Sequence, residues 1–365
     1  MSTPSANIPL VDLSGDPSIV ANQLVDAAAE HGFIYIRNQG HDIPPASIDE
    51  AFALGKKLLA APLAEKQACS IQTNNRGWTG MHAETLDPKN QTVGDYKEAF
   101  NFGEFVNYKA QQFIPPTVAA DETRFAAFAE LCRALCLKIL TLLGQGLQVD
   151  TFFSSAHFQA QSGSGSILRF LRYPPPSTTA HSANDVRAGA HSDYGSITLL
   201  FRLKGQAGLE VLRRDKDKDK DRDSSSSSSS GRPKWAVVPV VPPGTEDDPS
   251  PPILVNIGDL LSYWTDGLFR STVHRVVFPP DGVTDGDGAR YSIAYFCHPM
   301  DGALLEPVPS ERVRAFVSSR GGMDADADAE EDVNPHARRK VLTAGEHLLM
   351  RLKESYGDLY DDKQA

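Results

Sequence analysis

The sequence predicts an α+β fold, mainly β: a double-stranded β-helix, or jelly roll, with helices packed on one side and a mainly helical N-terminal region. Three observations predict it. Downstream of "GSGS" at 163–166, short runs rich in β-branched and aromatic residues follow one another, broken by Gly, Pro and Asp. The first 150 residues instead carry apolar residues at three- and four-residue steps. Helical and strand-like signals are thus segregated along the chain, which favours a double sheet over a parallel one.

The elements follow in order. "PSIVANQLVDAAAEHG" reads as a helix stopped at Gly32, and "FIYIRNQG" as a strand running into a turn. "AFALGKKLLAAP" is a second helix. The longest helical pattern is "DETRFAAFAELCRALCLKILTLLGQG", in which Phe125, Phe128, Leu131, Cys132, Leu135, Cys136, Ile139 and Leu142 form one stripe that should lie against a sheet. "ILRFLRY", "SITLLFRL", "GLEVL", "WAVVPV", "ILVNI", "STVHRVVF" and "RYSIAYFCH" then read as strands, and "LTAGEHLLMRLKESYGDLY" as a closing helix. This gives an N-terminal mainly helical region (1–160), a jelly-roll domain (161–305) and a C-terminal extension with a helix (306–365). Residues 213–234, "RRDKDKDKDRDSSSSSSSGRPK", have no apolar content to offset ordering entropy and are expected to be a disordered insertion at a hairpin tip. "DADADAEED" at 324–332 is expected to be a second solvated loop.

Composition bounds the function. A chain of 365 residues with 41% hydrophobic content can bury a large core. No apolar stretch approaches the roughly 18 residues of a membrane span, so a soluble, cytoplasmic protein is expected, with a monomer as the default. Four cysteines are too few for a disulfide framework, and Cys132 and Cys136 read as buried thiols. The net charge of −11 would repel a phosphate backbone, which argues against nucleic acid as a partner.

Chemistry enters with "HSDYGSITLLF" at 191–201. On a strand, alternate side chains share a face, so His191 and Asp193 can point at one atom. A third ligand must come from another strand of the same sheet. His274 of "STVHRVVF" qualifies, because an unpartnered imidazole in an apolar strand would be costly to bury. Two histidines and a carboxylate form the facial set that suits a non-haem Fe(II). Zinc is the competitor, but its hydrolases tend to carry both histidines on one helix as H-E-x-x-H, which is absent here. In "RYSIAYFCHP", Arg290 and Ser292 alternate onto one strand face, a guanidinium fork beside a hydroxyl that suits a carboxylate. The alternative for Arg290 is pairing with a buried Asp.

These motifs, with "LRFLRYPP", "IPLVDLS" and "HGFIYIRNQG", resemble the isopenicillin N synthase-like Fe(II)/2-oxoglutarate-dependent dioxygenases from about residue 7 to about 355. The likeness is closest to the fungal branch that includes thymine dioxygenase. The resemblance implies Fe(II) with 2-oxoglutarate and O2 as cosubstrates, ascorbate as an optional addition, and oxidation of a small molecule coupled to succinate and CO2. By position it makes His191, Asp193 and His274 the metal ligands. Arg290, Ser292 and Tyr173 become the 2-oxoglutarate site, and Arg187 and Tyr194 substrate-side residues. Plant members carry an asparagine where this chain has Leu171. "DYKEAFNFG" resembles the family's segment at the barrel mouth, which makes Tyr96, Lys97, Phe100 and Phe102 candidates for substrate contact, with core packing an equal alternative. Two other classes stay open: an Fe(II) oxidase that holds its own substrate's carboxylate on Arg290, and a non-enzymatic jelly-roll binding module.

Overall fold

The computed structural model describes residues 3–158, 163–175, 186–213, 234–278, 288–320 and 341–355. Most of the expected insertion, residues 214–233, and the acidic segment at 324–332 lie outside the described residues.

The first helix, α1 (Pro17–Glu30), begins where Asp16 accepts the N–H groups of Ser18 (3.0 Å) and Ile19 (3.1 Å), with Pro17 supplying a preset φ. It ends at Gly32, which sits at φ +69°, where any Cβ would lie 2.2 Å from the Arg270 carbonyl oxygen. The remaining helices are α2 (Pro45–Leu59), α3 (Leu63–Gln67), α4 (Glu122–Gly146), α5 (Phe152–His157), α6 (Asp259–Trp264), α7 (Glu311–Arg320) and α8 (Ala344–Ser355).

The strands are β1 (Leu10–Val11), β2 (Phe33–Ile36), β3 (Gly77–Thr79), β4 (Glu98–Phe102), β5 (Phe105–Val106), β6 (Lys109–Ala110), β7 (Ile167–Tyr173), β8 (Ala188–His191), β9 (Ile197–Arg202), β10 (Leu209–Leu212), β11 (Trp235–Val237), β12 (Ile253–Ile257), β13 (His274–Val276) and β14 (Arg290–Cys297). Eight form one sheet in the order β1-β2-β12-β9-β14-β7-β4-β3, and four form a second in the order β11-β10-β13-β8. Apart from the β1–β2 pair, every pairing in the two sheets is antiparallel.

Strand alternation divides the interior in two. Ile34, Phe100, Phe102, Phe170, Leu199, Phe201, Val255 and Ile293 face the helices α1, α2 and α4 in the main core. Their neighbours on the opposite face, among them Tyr35, Leu171, Leu254 and Ala294, pack against Leu209, Val211 and Val276 of the small sheet. The two sheets therefore lie face to face, with helices covering the outer side of the larger one. The long α4 meets that side as its stripe predicts: Phe125 lies 5.3 Å from the Phe170 ring and Phe128 lies 5.2 Å from Phe201. Truncating a ring at this seam would cost about 3–5 kcal/mol. Cys132 and Cys136 are free and fully buried, and burial pushes both thiols up.

One difference from expectation is that the N-terminal region contributes more strand than a single β2. It adds β1, β3 and β4 to the large sheet, as well as the β5–β6 ribbon. In "EAFNF" the apolar alternation is broken by Glu98 and Asn101, which are buried yet satisfied by distant partners. Glu98 pairs with Lys66 and accepts from Trp78 Nε1 (2.7 Å), and Asn101 Nδ2 donates to the Asn75 carbonyl oxygen (3.0 Å). Those partners are invisible to periodicity.

Candidate active site

β8 and β13 are neighbours in the small sheet, and His191 and His274 are Cα partners across them. Their rings lie 4.4 Å apart between centroids. β8 ends at His191, so Asp193 stands in the turn beyond it rather than on the strand face that its spacing predicts. That turn is fixed by the tip of β12: Asp259 N–H donates to the Asp193 carbonyl oxygen (2.7 Å) and Gly258 N–H to Ser196 (2.9 Å). Gly195 is required in it, since a Cβ there would lie 2.7 Å from the Cys297 carbonyl oxygen. The outcome is convergence. Asp193 Oδ1 is 3.8 Å from His191 Nε2 and 3.7 Å from His274 Nε2, and one ligand atom from each residue lies within 4.8 Å of the others.

The opposite side of each ligand is occupied. His191 Nδ1 meets the Gly189 carbonyl oxygen at 2.7 Å and His274 Nδ1 that of Thr272 at 3.0 Å, which places a proton on Nδ1 and leaves both Nε2 lone pairs free. Asp193 Oδ2 accepts from Thr198 Oγ1 (2.6 Å) and Asn256 Nδ2 (2.7 Å), leaving Oδ1 to the centre. Burial, reinforced by His274, pushes His191 down to about 4, so it is neutral at neutral pH, as a ligand must be. Burial works against the Asp193 charge, but His274, His191 and the two hydrogen bonds hold its carboxyl below the usual range.

The three ligands line a cavity of about 1020 Å³, counted out to solvent, whose wall also carries Tyr173, Arg290, Ser292 and Tyr194. Arg290 is 2% exposed. Its Nε donates to the carbonyl oxygens of Gln206 (3.3 Å) and Ala207 (3.2 Å), its guanidinium lies 4.8 Å over the Tyr173 ring, and its Nη1 is buried without a hydrogen bond. Among the described residues no carboxylate pairs with it, so the Asp-paired alternative is set aside. A nitrogen-nitrogen-oxygen donor set and an idle buried cation in one cavity fit Fe(II) and an acidic cosubstrate.

Comparison with known proteins decides the family. The N-terminal model of the non-haem dioxygenases in morphine synthesis matches residues 8–120, and the 2OG-Fe(II) oxygenase superfamily model matches residues 236–299, a span that holds His274, Arg290 and Ser292. The chain is 31% identical to the proline hydroxylase buaE of Petromyces alliaceus, covering 80% of this chain and 84% of the relative. The chain belongs to the 2-oxoglutarate- and Fe(II)-dependent dioxygenases. It is an oxidoreductase that uses Fe(II) and 2-oxoglutarate, which closes the binding-module and cosubstrate-free alternatives. The dioxygenase is also 36% identical to a UPF0676 protein of Schizosaccharomyces pombe, over 97% of this chain and 94% of that one. Among solved structures it resembles full-length Neurospora crassa thymine-7-hydroxylase in complex with α-ketoglutarate and thymine. There the TM-score is 0.69 and the identity 26%, covering 95% of this chain and 96% of that one. No helix among the described residues is long and apolar enough to cross a membrane.

The other predicted residues of the dioxygenase fall in different places. Arg187 is 1% exposed, donates from Nη2 to the Pro174 carbonyl oxygen (3.2 Å) and stacks over Phe278 (5.2 Å), and burial with Arg290 nearby lowers it to about 10. Tyr194 lines the cavity beneath the Arg351 guanidinium (5.1 Å). Lys97 reaches the cavity, whereas Phe100 and Phe102 point into the main core and Tyr96 packs on His82 and Phe278.

Sequence reasoning missed three groups. Thr198 and Asn256 orient Asp193, and Asn256 was detectable by the signal that found His274, a polar residue inside the apolar run "ILVNI". Glu84 and Arg169 join Lys97 and Asp95 in a buried cluster. Lys97 Nζ is 2.6 Å from both Glu84 Oε2 and Asp95 Oδ2, and Arg169 Nη2 is 2.7 Å from Glu84 Oε2. Finally, α8 brings Leu348 and Leu352 to the cavity, tied down by Arg351 to Asp259 Oδ2 (3.0 Å), which also accepts from Ser192 Oγ (2.9 Å).

Proposed function

We propose that this dioxygenase hydroxylates a small polar organic molecule, with His191 Nε2, Asp193 Oδ1 and His274 Nε2 holding the iron and Arg290, Ser292 and Tyr173 holding the distal carboxylate of 2-oxoglutarate. The observation that carries this is the pairing, in one cavity, of the three converging ligand atoms with the unsatisfied Arg290 guanidinium. When bound, Fe(II), 2-oxoglutarate and O2 together supply oxidative decarboxylation to succinate and CO2 and the oxidation of a C–H bond.

The chain's own residues do the rest. Gly189, Thr272, Thr198 and Asn256 hold the ligand side chains in one orientation, so little reorganisation is left for the reaction. Arg290 orients the cosubstrate by a directional, charge-assisted contact. Leu348 and Leu352 of α8, with Leu86, keep water from the substrate end, while Asn75 and Asn101 offer it hydrogen-bonding partners. That mixed lining supports a substrate with polar edges, such as a nucleobase or an amino acid, and Tyr194 and Arg187 are assigned to its side of the site. The strands of the two facing sheets that fall within 161–305 are taken as a double-stranded β-helix, flanked by the regions 1–160, which lends β1–β4 to the larger sheet, and 306–365.

The test is calorimetric titration of the anaerobic full-length chain with Fe(II) and then 2-oxoglutarate, followed by a screen of nucleobases, proline-like amino acids and heteroaromatic acids for stoichiometric succinate release. His274→Ala should abolish iron uptake and lower turnover at least about a thousandfold. Iron uptake that survives this change would remove the reading.

A further inference from the structure

β9 and β14 run side by side, and the Cα partner of Ser292 is Arg202. Alternation along β9 sends Thr198 and Leu200 to the cavity wall and Leu199 and Phe201 to the helix-facing core, so Arg202 faces inward with Arg290 and Ser292. It is 5% exposed. Its Nη1 donates to the Val238 carbonyl oxygen (3.0 Å) and its guanidinium lies 5.7 Å from the Tyr35 ring centroid. Its Nε and Nη2 are buried and make no hydrogen bond, and no acid among the described residues pairs with it. Burial lowers Arg202, the neighbouring Tyr35 hydroxyl acts the other way, and the charge of Arg290 lowers it further.

Two buried cations that repel each other, with three idle nitrogens between them, are an unfavourable arrangement for a finished interior. They are a favourable one for a site awaiting an anion. Packing on Tyr35 and one bond to Val238 explain one nitrogen of Arg202 and not the other two. The adjacent strand already presents Arg290 to the same end of the space, so one ionised carboxylate is the group that would answer both.

We propose that Arg202 is a second cationic anchor for the distal carboxylate of the keto acid, acting beside Arg290. The inference rests on the function proposed above. It assigns the site a selectivity: 2-oxo acids with a second carboxylate are bound well, and those with an uncharged tail leave two guanidiniums unanswered and are bound poorly.

The experiment is calorimetric titration of the anaerobic, Fe(II)-loaded full-length chain with 2-oxoglutarate and, separately, with 2-oxopentanoate, for the wild type and Arg202→Met. Arg202→Met is expected to weaken 2-oxoglutarate at least about tenfold and 2-oxopentanoate less than about threefold, because only the first carries the second charge. A loss for 2-oxoglutarate below tenfold, or an equal loss for both acids, overturns the proposal and leaves Arg202 as packing. Should Arg202→Met fail to fold, Arg202→Gln, which removes the charge and keeps a donor for Val238, decides by the same criteria. A wild-type chain that takes up Fe(II) but no 2-oxoglutarate is a separate result: it overturns the function proposed above, and the inference with it.

Discussion

Two clusters of buried charge, each reaching the cavity wall through some of its members, differ in their balance. Glu84, Asp95, Lys97 and Arg169 are two acids and two bases, and each acid meets a base within 2.7 Å. Burial works against the Glu84 charge, yet Arg169 and Lys97 hold its carboxyl well below the usual range. Arg187, Arg202 and Arg290 are three bases with no acid among the described residues, and each keeps a buried nitrogen without a hydrogen bond. The first cluster is balanced in charge as folded, although Arg169 Nε is also buried without a hydrogen bond. It also props the metal strand, because Asp95 Oδ1 accepts from the N–H of Gly189, two residues before His191. The second has no counter-charge among the described residues. A buried charge thus marks a ligand site through the absence of its counter-charge, not through burial itself.

The comparison is broken most forcefully at Lys97. Removing its charge with Lys97→Met strands Glu84 and Asp95 in the interior, and the full-length apo chain should lose about 3–5 kcal/mol in urea unfolding. A chain of unchanged midpoint would mean that the balanced cluster is not structural. Arg290→Met is the counterpart and should act with the opposite sign on stability. Taking away an unanswered buried charge leaves the apo chain as stable as before or more so, while the dissociation constant for 2-oxoglutarate rises about a hundredfold. Loss of apo stability equal to that of Lys97→Met would put both clusters in the same class.

Much of this was legible in the sequence, for physical reasons that also mark where legibility stops. β7 and β12 coincide with "ILRFLRY" and "ILVNI", because strands covered on both faces are mainly apolar, with their buried polar members Arg169 and Asn256 held by partners. His274 stood out because an imidazole in such a run needs a partner. β4 was not recognised as a strand, since Glu98 and Asn101 take partners from residues distant in sequence. Phe100 and Phe102 were candidates for substrate contact, yet on β4 they fall on the helix-facing side, which only the sheet register decides. Arg202 falls near the end of "SITLLFRL", where nothing in the run marks it as buried. Its burial becomes apparent only when β14 and Tyr35 close over it.

The smallest effect concerns pH and sets both charged clusters against neutral histidines. His157 is fully buried, its Nδ1 2.6 Å from the Phe153 carbonyl oxygen and its Nε2 2.8 Å from Ser196 Oγ, and burial lowers it from 6.5 to about 4. Burial, aided by His347, lowers His298 to about 3. A histidine whose folded pKa lies below its unfolded value binds fewer protons in the fold. Its contribution is therefore full above pH 6.5 and is lost as pH falls from 6.5 towards 4, by about 1.4 kcal/mol per pH unit for each group. His191, lowered to about 4, adds the same sign in the apo chain. Glu84 titrates below this window, and Arg187, Arg202 and Arg290 stay charged throughout it. Urea midpoints measured between pH 7 and pH 4.5 should fall steadily, and His157→Gln should make the slope shallower by one histidine's share. An unchanged slope in that variant would mean that His157 is not held neutral and that the acid sensitivity of the fold resides elsewhere.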